Sequence, residues 1–139
     1  MAKVVFESDD VLIVHEPELA AVILSWKRFA KGEGFRQGLE QGLSAARRLM
    51  VKAWIGDVQA LGVVDTDDSY WVNNDWFPRL LRETSISRMA VIIGSRAITK
   101  LSVGAIMSKV SDRLTNRYVA SIDEARTWVG EEARLAKTA

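Results

Sequence analysis

Cysteine is absent from these 139 residues, histidine occurs once and proline twice. Each scarcity removes a class of chemistry. Without cysteine there is no thiolate nucleophile, disulfide, redox pair or thiolate metal site, and the single His15 cannot build a multi-histidine metal centre. His15 also sits at the end of a strand-like run beside Glu16, where it reads as a surface or edge side chain rather than as the base of a Ser/His/Asp triad. No catalytic residue, metal site or cofactor is therefore expected. Neither sign of charge prevails: nineteen Lys and Arg against eighteen Asp and Glu leave +1, too little for a protein that lives on nucleic-acid phosphates. Long apolar runs are missing too. The longest, residues 19–24, is far short of a membrane span, and the chain turns acidic from Glu7 where a signal peptide stays apolar, so a cytoplasmic location is expected.

What is present suits one α/β domain over residues 1–139, with 48% hydrophobic and 27% charged residues and enough length to bury a core unaided. Residues 3–7, 11–15 and 19–26 are short β-branched runs broken by turn-forming residues, which predicts antiparallel hairpins. The third run is apolar almost throughout, as in a central strand covered on both faces. From Gly34 to Trp54 the apolar residues recur three or four apart and predict a helix. Residues 60–65 (ALGVVD) read as the fourth strand, 69–84 as a helix kinked or split at Pro78, and 88–94 as the fifth strand. A helix over 96–108 and an edge strand over 116–120 come next, and Ser121 with Glu124 forms a capping box for a last helix. Gly130 is expected to end that helix, leaving 131–139 as a tail polar enough to fray. The order β-β-β-α-β-α-β-α-β-α makes one mixed sheet, its third to fifth strands parallel neighbours through right-handed crossovers.

Val63-Val64-Asp65-Thr66 at a strand end, Trp71 or Trp76 with Pro78-Arg79-Leu80-Leu81, the strand Met89-Ala90-Val91-Ile92, and Asp123-Glu124-Ala125 with Trp128 together carry a likeness. In these pieces the chain resembles the SpoIIAA-like family of small bacterial proteins, relatives in fold of STAS domains. The resemblance implies a STAS-like α/β fold and brings no established activity. Some family members are described as similar to CRAL-TRIO lipid-binding domains, but this chain is short for a lipid-enclosing cavity of that kind. STAS antagonists carry a phosphorylatable Ser in an Asp-Ser-Ser-Gly-like turn; the corresponding junction here is Asp65-Thr66-Asp67-Asp68-Ser69, without Ser-Ser-Gly. A phosphate at Thr66 or Ser69 would lie among three aspartates, so regulated phosphorylation is not expected.

The sequence pattern offers several candidate sites. Lys27, Arg28, Lys31 and Arg36 cluster before one helix, while Asp57, Asp65, Asp67, Asp68 and Asp75 fall in a window without Lys or Arg. With parallel strands both groups crowd the sheet edge where α/β proteins bind ligands, and Ser95 and Arg96 after the fifth strand join them. The plainer alternative is helix capping and solvated loop charge. Gly34, Gly38 and Gly42, with Ala46, form a smooth ridge for close packing inside the chain or against a second copy; the spacing around Gly32 does not fit a dinucleotide loop. Trp71 and Trp76 lie about 140° apart on an α-helical wheel, which places one in the core and one at a pocket rim or dimer contact. Asn73 and Asn74 are candidates to orient a polar ligand group or the carbonyl freed by Pro78. The leading functional expectation is a non-enzymatic STAS-like module acting through protein partners at Asp65 to Ser69, with a homodimer suggested. The alternative is a small apolar or amphipathic ligand held in a crevice beside the aromatic helix, near Trp71 and Asn74.

Overall fold

The computed structural model describes residues 2–102, 106–109 and 111–138. The chain folds into a seven-stranded mixed sheet of order β1-β2-β3-β4-β5-β7-β6. Strands β1 (Lys3–Glu7), β2 (Val11–Glu16) and β3 (Ala21–Trp26) form the antiparallel end. From β3 the chain crosses through helix α1 (Glu33–Arg48) to β4 (Ala53–Asp57), which pairs parallel with β3. It then runs through α2 (Thr66–Trp71), a π turn (Val72–Trp76) and α3 (Phe77–Glu83) to β5 (Arg88–Ile92), parallel to β4. Beyond β5 come the single turn α4 (Ser95–Ile98), the short edge strand β6 (Met107–Lys109), β7 (Thr115–Val119) parallel to β5, and the closing helix α5 (Ile122–Thr138).

Alternation along the strands splits the core into two layers. Val22, Leu24, Trp26, Trp54 and Met89 point to the face covered by α1, α2 and α3, whereas Ala21, Ile23, Ile55, Ala90 and Ile92 meet Ala125, Trp128 and Val129 of α5. A strand buried on both faces has no polar side to display, which is why β3 reads as an apolar run broken only by Ser25. The expectation of antiparallel hairpins followed by parallel third, fourth and fifth strands holds.

Four expected elements move. The fourth strand is Ala53–Asp57 and not 60–65, because α1 stops at Arg48: the chain turns left-handed at Met50 (φ 54°) and frees Trp54 for the sheet. The third strand begins at Ala21, after a turn of 3-10 helix at Pro17–Leu19. The edge strand is β6, a three-residue segment that overlaps the end of the expected 96–108 helix, while β7 is enclosed between β5 and β6; residues 103–105 of that expected helix lie outside the described residues. Gly130 does not end the last helix, which continues to Thr138.

The capping box forms with one shift: Ser121 Oγ accepts from the Glu124 N–H at 3.2 Å as expected, but the Glu124 carboxylate reaches one residue further back than Ser121 and accepts from the Ala120 N–H at 2.7 Å. Ser121→Ala should lower stability by about 1 kcal/mol, measured by urea unfolding, because one helix-end donor loses its acceptor.

Candidate functional site

The acidic junction is the first candidate, and its carboxylates are largely engaged within the protein. Asp65 is the N-cap of α2, accepting from the Asp67 N–H at 3.2 Å. Asp68 is 1% exposed and accepts from the Gly32 N–H at 2.6 Å and from Arg36 Nε at 2.9 Å, tying α2 to the start of α1. Thr66 and Asp67 lie outward, and Ser69 is half-buried. Three of the four basic residues are spent in the same way, Arg36 on Asp68, Lys27 on Glu7 and Arg28 on Asp10, where Asp10 holds the Arg28 guanidinium above its ordinary pKa by a hydrogen bond and by charge. Ser95 and Arg96 are exposed on α4, and no hydrogen bond or ion pair links them to Asp65, Asp67 or Asp68 among the described residues.

The glycine ridge is consumed inside the chain. A Cβ at Gly38 would stand 2.6 Å from the Trp26 ring, and one at Gly42 would stand 2.4 Å from the Trp54 ring. Both glycines let α1 lie directly on tryptophans of the sheet, so the ridge offers no surface to a second copy.

Helix α2 begins the wall of a different site. At Val72–Trp76 the helix widens into a π turn, closed by the Phe77 N–H on the Val72 carbonyl. Proline at 78 lacks the N–H of a regular turn and would press its ring on the carbonyl of Asn74; the wider turn relieves that conflict. One additional residue per turn also rotates the rest of the helix by roughly 100°. Trp76 is thereby brought into the core, 2% exposed, with its indole N–H donating to the Leu39 carbonyl at 3.0 Å and its ring edge-on to Trp54. Trp71 remains half-buried under the Arg36 guanidinium, 5.2 Å from its ring centre. Asn74 turns its amide N–H back to the Tyr70 carbonyl at 2.9 Å. Arg79 clamps α3 to α1 through Glu40 at 3.1 Å and bonds Asp75 at 2.8 Å; the Glu40 hydrogen bond above all raises its pKa.

Between this helical wall and the sheet lies a crevice of about 820 Å³. Its floor is Met89 and Val91 of β5 beside Asn116 and Tyr118 of β7, paired in register as Met89 with Asn116 and Val91 with Tyr118. Val72, Phe77, Pro78 and Leu81 form the helical wall, and Val58, Leu61 and Val64 of the β4–α2 connection close one side. The connection turns sharply at Gly62 (φ 77°), burying Leu61 to 2% while leaving Val63 86% exposed. The apolar run at 60–65 is thus a wall and not a strand. A second cavity of about 220 Å³ shares Val58, Leu61, Val64, Val72, Met89 and Val91 with the crevice and extends inward to Trp26, Phe35, Leu39, Trp54, Ser69 and Trp76.

No protein-family model, characterised protein or solved structure matches this chain. Among the described residues no helix is long and apolar enough to cross a membrane. Of the residues singled out from sequence, Ser69 and Trp76 reach the inner cavity and Asn73 lines the crevice, whereas Asp67, Trp71 and Asn74 line a shallow hollow with Tyr70 on the outer side of α2. The crevice floor is not among the sites that the sequence pattern suggests. Its one legible signal is the alternation in Thr115-Asn116-Arg117-Tyr118, which sets Asn116 and Tyr118 on one face.

Proposed function

We propose that this protein is a binding module for a small apolar or amphipathic molecule, held in the crevice between β5, β7 and the α2–α3 wall. The observation that carries the reading is the crevice itself: its volume falls within the range of small-molecule sites, its walls are almost entirely aliphatic and aromatic, and a few amide and phenol groups interrupt them. No catalytic step is part of this reading. The consecutive parallel neighbours β3, β4 and β5, joined through α1 and then through α2 and α3, support the STAS-like fold suggested by the resemblance.

The neutral dye Nile red tests the proposal. It should bind the parent with a rise in fluorescence, and Val91→Trp, which puts an indole on the crevice floor, should weaken that binding at least tenfold while the far-ultraviolet circular dichroism stays unchanged. Equal binding to the parent and to a folded Val91→Trp would place the dye elsewhere and end the reading.

A contact surface for a protein partner is the second reading. It is favoured by Tyr70, 70% exposed beside Trp71 and Asp67. In that reading the outer side of α2 is the docking face, with Asp67 as its outward charge. Nile red would then leave partner binding unaffected.

A further inference from the structure

We infer that the crevice selects an uncharged amphiphile, with an apolar body and one hydroxyl or amide N–H, and that Asn116 is the residue receiving that donor. This rests on the crevice reading above and narrows it to a ligand class.

The first observation is the absence of charge. None of the described residues lining the crevice is acidic, basic or histidine. Arg113 reaches the backbone of the lining residue Leu81, but its guanidinium is committed there to the carbonyl oxygens of Leu81 and Thr84. A carboxylate or ammonium drawn into such walls would lose its water and gain no opposite charge, the costliest transfer a ligand group can make. A neutral head group escapes that penalty.

The second observation is an acceptor with nothing to accept. Asn116 Oδ1 is shielded from solvent and has no hydrogen-bond partner among the described residues. It stands on the crevice floor, between Met89 on β5 and Ser108 on β6 in the sheet register. A position that only filled space on a strand would favour a β-branched or aromatic side chain. A buried amide oxygen left unsatisfied costs stability, and a turn of the Asn116 side chain, which already lines the crevice, would present that oxygen to a ligand O–H or N–H and relieve the cost. Space for the rest of the molecule is provided by the apolar walls and the inner cavity at Trp54 and Trp76.

A matched ligand series on the full chain tests this by displacement of Nile red. The probes are 1-decanol, its methyl ether and decanoate, measured at neutral pH. Decanol should displace the dye at concentrations at least tenfold below those of the ether, which accepts but cannot donate, and of decanoate, which is charged. In Asn116→Leu the advantage of decanol over the ether should fall to near unity. The comparison within the parent protein stands even if that variant does not fold. Equal displacement by decanol and its ether, or by decanol and decanoate, would overturn the assignment of the ligand class while leaving an apolar crevice in place. Retained preference for decanol in a folded Asn116→Leu would remove Asn116 from the assignment. Failure of all three probes to displace a dye that Val91→Trp also fails to exclude would overturn the inference together with the crevice reading beneath it.

Discussion

Asp68→Ala is expected to cost about 2–3 kcal/mol of folding stability, seen as a lower urea midpoint at an unchanged m-value. The carboxylate is buried and holds two donors from one helix start, the Gly32 N–H and Arg36 Nε. Alanine leaves the Gly32 N–H without its acceptor and removes the partner of a cation. Arg36 keeps 39% of its side chain exposed, so water recovers part of the loss, and the figure stays below that of a fully enclosed pair. Asp67→Ala, one residue away and exposed, should change stability by less than about 0.5 kcal/mol. If both variants proved equally benign, the junction would not be an anchor, and its carboxylates would again be candidates for contact with a partner.

Gly42→Ala is expected to lower stability by about 2 kcal/mol, although alanine is the better helix former by about 1 kcal/mol. The new methyl would meet the Trp54 ring at 2.4 Å and a Leu24 methyl at 3.0 Å. Trp54 is wedged edge-on against Trp76, whose own indole is fixed to Leu39. Relief therefore requires the α1–sheet contact to open. Gly34→Ala makes the comparison informative, since the nearest atom there is the Asp10 carboxylate at 2.6 Å, the movable end of a side chain on a turn. Thermal unfolding should show a fall of roughly 6–8 °C for Gly42→Ala and little change for Gly34→Ala. A Gly42→Ala protein as stable as the parent would mean that the ridge is not needed for close approach.

How far such features could be read in advance depended on whether their cause was local. The hairpins, the double-faced β3 and the capping box at Ser121 arise from residues within a few positions of one another, and each is found. Strand β4 was concealed because Trp54 continues the helical spacing of Leu39, Leu43, Ala46 and Met50. Only the left-handed turn at Met50, a conformation its sequence does not advertise, breaks that phase. Residues 60–65 looked like a strand because burial, not pairing, made Leu61 and Val64 apolar. The three-residue β6, with Ser and Lys among its members, carries no strand pattern at all.

The candidate site was harder still. Dense carboxylates at 65–68 are visible in the chain, but whether they face a partner or an internal donor is decided by Gly32 and Arg36, more than thirty residues away. The crevice is built from four separate elements, so no single stretch announces it. Asn116 is an ordinary polar residue in sequence and becomes informative only when its neighbours prove to be Met89 and Val91.

The π turn at Val72–Trp76 has a consequence for chain length. It stores one residue beyond what an α-helix of the same reach requires, so this stretch is sensitive to its count of residues more than to their kinds. Excising one position, Asn73 for instance, would restore a regular helix and leave the loops on either side intact. Yet it would rotate Phe77, Leu80 and Leu81 by roughly 100° away from the sheet and bring the Pro78 ring back onto a carbonyl. Insertions and deletions are commonly absorbed by surface connections; here the helix itself holds the register, and a chain shortened within it would lose the crevice wall while keeping nearly every one of its side chains.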